Sequence, residues 1–145
     1  MNFARIVLAG AIVAVAGVAF AKGERTEPEA KARAETMQTI AAQTKVLGDM
    51  AGGKVAFDAA AAEAAKAALV AAAGNIPTAF ETQGATDPAS EAKPDVWTNW
   101  DEFLADAAAL KTAAEAVDVS SVDGIKAGMG GIGGACKDCH TDFRM

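Results

Sequence analysis

The stretch GGACKDCHTDFRM occupies residues 133–145. The 145-residue chain has two cysteines and one histidine, and all three (Cys136, Cys139 and His140) fall within five positions of this stretch. On a helix, positions i, i+3 and i+4 share a face, so two thiols and an imidazole would project together. The fold has to bring a helix here and leave that face accessible.

Working outward, the preceding sequence is helical in character. Strand signals are nearly absent: there is no Tyr, no Asn-Gly hairpin turn and no sustained two-residue alternation. Alanine-rich segments with charges at helical spacing take their place. Thr26 with Pro28 opens a first helix, whose apolar positions Met37, Ile40, Ala41 and Leu47 carry it to about Met50, before Gly52-Gly53. Asp58 caps a second helix, mostly alanine through Ala73 and stopped by Gly74-Asn75. Residues 75–95 hold Pro77, Gly84, Pro88 and Pro94 and form the long connection. A third helix opens near Asp95 and runs through Trp97, Trp100, Phe103 and Leu110. Ser121, or Ser120, caps a fourth that carries the 133–145 stretch. The expected fold class is all-α, an antiparallel four-helix bundle. Six glycines between 124 and 134 are costly in a helix. They mark either a frayed segment or room for something flat against the backbone.

The N-terminus reads as an export signal. Arg5 precedes an apolar run ending at Ala19-Phe20-Ala21, a small-x-small cleavage pattern. The run is shorter than the roughly 20 residues that span a bilayer. Residues 1–21 are thus expected to be a signal peptide cleaved after Ala21, leaving 22–145 as one periplasmic domain with no membrane attachment. Loss of Arg5 leaves 12 basic against 19 acidic groups, net −7. Such an acidic domain has no basic patch for nucleic acid.

The ligand cluster has several readings. Zinc would want a fourth ligand, and a thioredoxin-like pair would want a neighbouring strand. A disulfide across two residues closes a small loop with little entropic gain and leaves His140 unused. In C-x-x-C-H, by contrast, both thiols add to the vinyl groups of a haem and the histidine coordinates iron. The cofactor expected is one haem c, covalent through Cys136 and Cys139, with His140 as the metal ligand. Only Thr141 to Met145 follow His140, so any sixth ligand must come from upstream.

Four helices, an export signal and the terminal C-K-x-C-H-x-x-F-R, with GKVAFDAAA at 53–61, EAKPDVWTNWDEF at 91–103 and Arg33-x-x-x-Met37, resemble the cytochrome c′ family, the class II c-type cytochromes. The resemblance implies a five-coordinate, high-spin iron. It places Met37 against the open face, Arg33 near the haem propionates, Glu91 in contact with the haem and Arg144 near the proximal ligand. Ala34 stands where the family often has a polar residue. Trp97 and Trp100 read as core aromatics, of which one or both could flank the haem.

No nucleophile–base pair, carboxylate dyad or phosphate loop appears, so the chain is not expected to be an enzyme. The resemblance implies NO or CO binding, electron transfer with an unidentified redox partner, and a homodimer formed through the first two helices. Two alternatives stay open. One is a low-spin electron carrier with Met37 as sixth ligand; the other is a haemless helical protein whose tail holds a disulfide.

Overall fold

The computed structural model describes residues 23–145; the expected signal peptide and its cleavage site lie outside these residues. Six helices follow in order: α1 Pro28–Ala51, α2 Ala59–Gly74, α3 Ile76–Phe80, α4 Asp95–Thr98, α5 Trp100–Glu115 and α6 Val122–Phe143. The four long ones form the expected bundle. α1 packs on α2 and α6, and α5 packs on α2 and α6, which makes a ring of neighbours. Each pair is antiparallel. Asn75, at the end of α2, donates to Thr36 Oγ1, early in α1, at 3.2 Å. Phe103 at the start of α5 packs edge-on against Phe143 at the end of α6, with ring centroids 5.3 Å apart.

The alanines of α2 do two things. They favour helix intrinsically, and Ala62, Ala65, Leu69 and Ala73 form a fully buried seam at helical spacing. The core then centres on Phe103, which is 1 % exposed and lies 5.0 Å from the Phe80 ring and 5.5 Å from Trp100. Burial of a side chain this size stabilises by roughly 1.5–3 kcal/mol.

Three details of the chain path depart from the sequence reading. The 75–95 connection contains the short helix α3, and the third helix is interrupted at Asn99, where φ is −117° and ψ 46°. Thr26 does not cap α1. Its own N–H and that of Glu27 instead donate to Asp87 Oδ2, at 2.8 and 3.0 Å, so the chain entering α1 is held from the long connection. Asp58 and Ser121 cap as expected, accepting from Ala61 and Gly124 at 2.9 and 3.1 Å.

The glycines of α6 fit neither expectation. The helix is continuous from Val122 to Phe143, so the segment is not frayed. A Cβ on Gly124 would come within 2.5 Å of Asp118 O, and one on Gly128 within 2.8 Å of Val117. These two let the chain leaving α5 lie directly on α6. A Cβ on Gly130, Gly133 or Gly134 would meet nothing within 4 Å outside its own stretch of helix, and none of the six glycines lines the cleft described next.

Candidate haem cleft

Residues of α6 and α1 line one cleft of about 600 Å³. From α6 it is lined by Ala135, Cys136, Cys139 and His140; from α1 by Arg33, Ala34, Met37, Ala41 and Thr44. Phe103, Ala107 and Leu110 of α5 supply apolar lining, and Glu91 and Arg144 also border the space. The site residues expected from the sequence (Arg33, Met37, Glu91, Cys136, Cys139 and His140) therefore all border one space.

Cys136 and Cys139 are both free, half-buried thiols. Burial pushes the Cys136 thiol up. Cys139 is pushed up to about 12 by burial, by the carboxylate of Asp106, by Cys136 and by Asp142. Both are therefore neutral at physiological pH. Burial also lowers the His140 pKa below 6.5, Arg144 lowers it further, and Glu91 acts in the opposite direction. A neutral imidazole is the form that binds a metal. Among the described residues no group of three or more His, Cys, Asp or Glu side chains converges to hold a metal ion by itself.

Arg33 is not a solvated surface charge. It is 5 % exposed, with its guanidinium carbon 5.2 Å from the Trp97 ring centroid and 5.8 Å from that of Phe80. One terminal nitrogen donates to Thr82 O and Gln83 O, both at 3.1 Å. Burial lowers its pKa, against the pull of Glu29 and Asp87. Its Nε is buried and meets no acceptor, although the residue lines the cleft. An N–H in that position is costly to leave unpaired and suits an acceptor carried by whatever fills the cleft.

Neither tryptophan lines the cleft. Trp97 donates through Nε1 to Phe80 O at 2.8 Å and packs under Arg33; Trp100 stacks on Phe103. The carboxylate of Glu91 is engaged by Arg144, whose Nε donates to Oε2 at 2.8 Å. Asp106 belongs to none of the sequence motifs, yet it lines the cleft. Burial raises its pKa, as do Asp142 and Asp138. The sequence does carry a signal for it: Asp106 lies on the Phe103, Ala107, Leu110 face, a charge on an otherwise apolar stripe.

The chemistry of this donor set fits a haem. Two thiols and an imidazole at i, i+3 and i+4 face small and apolar side chains across a gap, and a buried, unpaired N–H borders the same space. A four-helix bundle with C-x-x-C-H on its last helix, opening into such a cleft, defines a bundle-type c-type cytochrome. The family model for Cytochrome C′ matches residues 29–144. The chain is 31 % identical over 140 residues to cytochrome c′ of Rhodopseudomonas palustris, covering 94 % of this chain and 92 % of that protein. Among solved structures, cytochrome c′ from Rubrivivax gelatinosus superposes with a TM-score of 0.69 at 30 % identity, over 84 % of this chain and all of that one. A nitric oxide complex of a single-residue variant of cytochrome c prime from Alcaligenes xylosoxidans gives 0.71 at 22 % identity, over 80 % of this chain and 93 % of that one. The chain belongs to the cytochrome c′ family, a family of haem proteins that are not enzymes.

Proposed function

We propose that this chain is an exported c-type haem protein that binds NO or CO and transfers electrons from a high-spin, five-coordinate iron. The observation that carries this is that His140 from α6 and Met37 from α1 line one apolar cleft. Cys136 and Cys139 attach the haem, and His140 supplies the ligand from α6. When bound, the haem provides an iron that exchanges one electron and takes a diatomic gas. Met37 and Ala41, which line the cleft, would offer a gas no hydrogen-bond donor and favour admission by size and low polarity; the buried, unpartnered Thr44 hydroxyl borders the same space. Arg33 would present its buried, unpartnered Nε–H to a propionate. The nitric oxide complex of the Alcaligenes protein supports the gas reading, and the apolar run before Ala21 supports residues 1–21 as a signal peptide for the periplasm.

The presence of Met37 in the same cleft as His140 also favours a second reading. There the Met37 thioether would serve as a second iron ligand, and the protein would only carry electrons.

One experiment separates the two. The protein is produced with haem-attachment machinery, spectra of the ferric and ferrous forms are recorded, and CO is added to the ferrous form. A high-spin spectrum that shifts with CO supports the gas-binding reading. A low-spin spectrum indifferent to CO overturns it in favour of Met37 ligation. A colourless product overturns both. Export is tested by the N-terminal sequence of the mature protein, expected to begin at Lys22.

A further inference from the structure

Three successive residues before α4 hold the end of α6. The Lys93 N–H donates to Phe143 O and the Met145 N–H to Glu91 O, each at 2.9 Å, and between them Ala92 and Arg144 form an isolated antiparallel bridge. The Lys93 ammonium donates to Thr141 O and Asp142 O, both at 3.0 Å. It thus satisfies carbonyls that a helix C-terminus leaves open. Glu91 completes the clasp. Its Oε2 accepts from Arg144 Nε at 2.8 Å and lies 2.6 Å from the second guanidinium nitrogen.

This clasp closes on the turn that begins at His140. Arg144 is one turn further on, and its backbone N–H donates to His140 O at 3.3 Å. His140, Glu91 and Arg144 all line the cleft, and both charged groups lie close enough to act on the imidazole. The guanidinium is about half exposed, and with no fixed partner a long side chain there samples both solvent and the imidazole side of the cleft. Two donors on one carboxylate oxygen remove that freedom, and a charge-assisted pair of this kind is among the stronger hydrogen bonds.

We propose that Glu91 is a positioning residue for the iron ligand: by holding Arg144 it fixes both the last turn of α6 and the charge beside His140. This rests on the reading that His140 ligates the iron of a covalent haem. The ferric state carries one more positive charge than the ferrous. With Glu91 in place, the guanidinium charge is compensated at close range. With glutamine there, it is uncompensated and free to approach, which disfavours the ferric state and raises the midpoint potential.

The test is a redox titration of the full haem-loaded protein as wild type, E91Q, R144Q, the E91Q/R144Q double variant, and E91D. Glutamine is isosteric with glutamate, and retained helicity by circular dichroism is the check on folding. E91Q is expected to raise the midpoint potential by up to tenfold in the reduction equilibrium constant, about 59 mV for one electron. In the R144Q background, the same substitution should produce less than half that shift, the non-additivity expected of residues that act through one another. E91D keeps the charge but withdraws it by a methylene, and should shift the potential in the same direction by less. An equal shift from E91Q with and without R144Q, or a wild-type potential in E91D, would show an independent surface charge and overturn the proposal. A wild-type protein without a haem c spectrum would instead overturn the functional reading, and this inference with it.

Discussion

The guanidinium carbon of Arg33 lies 5.2 Å from the ring centroid of Trp97, and the indole of Trp97 donates in turn to Phe80 O at 2.8 Å. Arg33 also donates to the carbonyls of Thr82 and Gln83. One cation thus gathers the end of α3, the residues just after it and α4 around the wall of α1 that lines the cleft. Its position four residues before Met37 puts both on one helix face.

Replacing Arg33 with methionine leaves two carbonyls without their donor and removes a cation–π contact. Unpaired polar groups cost about 1–3 kcal/mol each when buried. The Thr82 and Gln83 loop is exposed, so water recovers part of this. Arg33→Met is expected to lower the unfolding free energy by about 2 kcal/mol in urea denaturation. Arg33→Lys should recover only part, because an ammonium lacks the planar fork. A methionine variant as stable as wild type would contradict the tethering role.

Asp87 gives the protein an acid-sensitive joint. Its carboxylate accepts N–H groups from Glu27, Ala89 and Thr26, which hold its pKa below the ordinary 3.8 against the opposing effect of burial. A depressed carboxylate contributes stability that is present in full above the unfolded value and is lost as pH falls through the lower folded value. Asp87→Asn should therefore be less stable at neutral pH, and its stability should fall less steeply below about pH 3.8. Thermal melts of both forms from about pH 6 to about pH 2 check this; parallel curves would rule it out.

The α6 glycines divide into two kinds. Gly130 has open space where a Cβ would go, so Gly130→Ala is expected to stabilise by about 0.8–1 kcal/mol through helix propensity alone. At Gly124 the added carbon would lie 2.5 Å from a backbone carbonyl, and Gly124→Ala should destabilise by about 1–3 kcal/mol. Opposite signs in denaturant midpoints are the expected result.

Phe103 joins the core to the cleft. It touches the rings of Phe80, Trp100 and Phe143 and lines the cleft. Phe103→Ala is expected to cost about 3–5 kcal/mol, read by calorimetry on the haem-loaded protein. A cost under about 1 kcal/mol would mean that the surrounding rings collapse into the space.

Much of this protein was legible in its sequence, because the relevant relationships are local. The helical spacing of Cys136, Cys139 and His140 needs nothing beyond a continuous helix, and α6 supplies one. Helix starts at Asp58 and Ser121 came from side chains that bond three residues ahead. The four-helix count followed from alanine content and glycine-proline punctuation.

What only the tertiary structure decided lies between residues far apart in the chain. Nothing near Thr26 announces that its partner is Asp87, 61 residues on, or that Glu91 reaches Arg144 across 53. Gly124 and Gly128 look like helix breakers until the chain leaving α5 is seen to lie against them. The packing of Arg33 against Trp97 and Phe80 is likewise set by the fold. Helix propensity and capping act over one turn and so can be read along the chain. Burial, ion pairing and close backbone approach depend on which surfaces meet, and that is settled only when the four helices close around their common core.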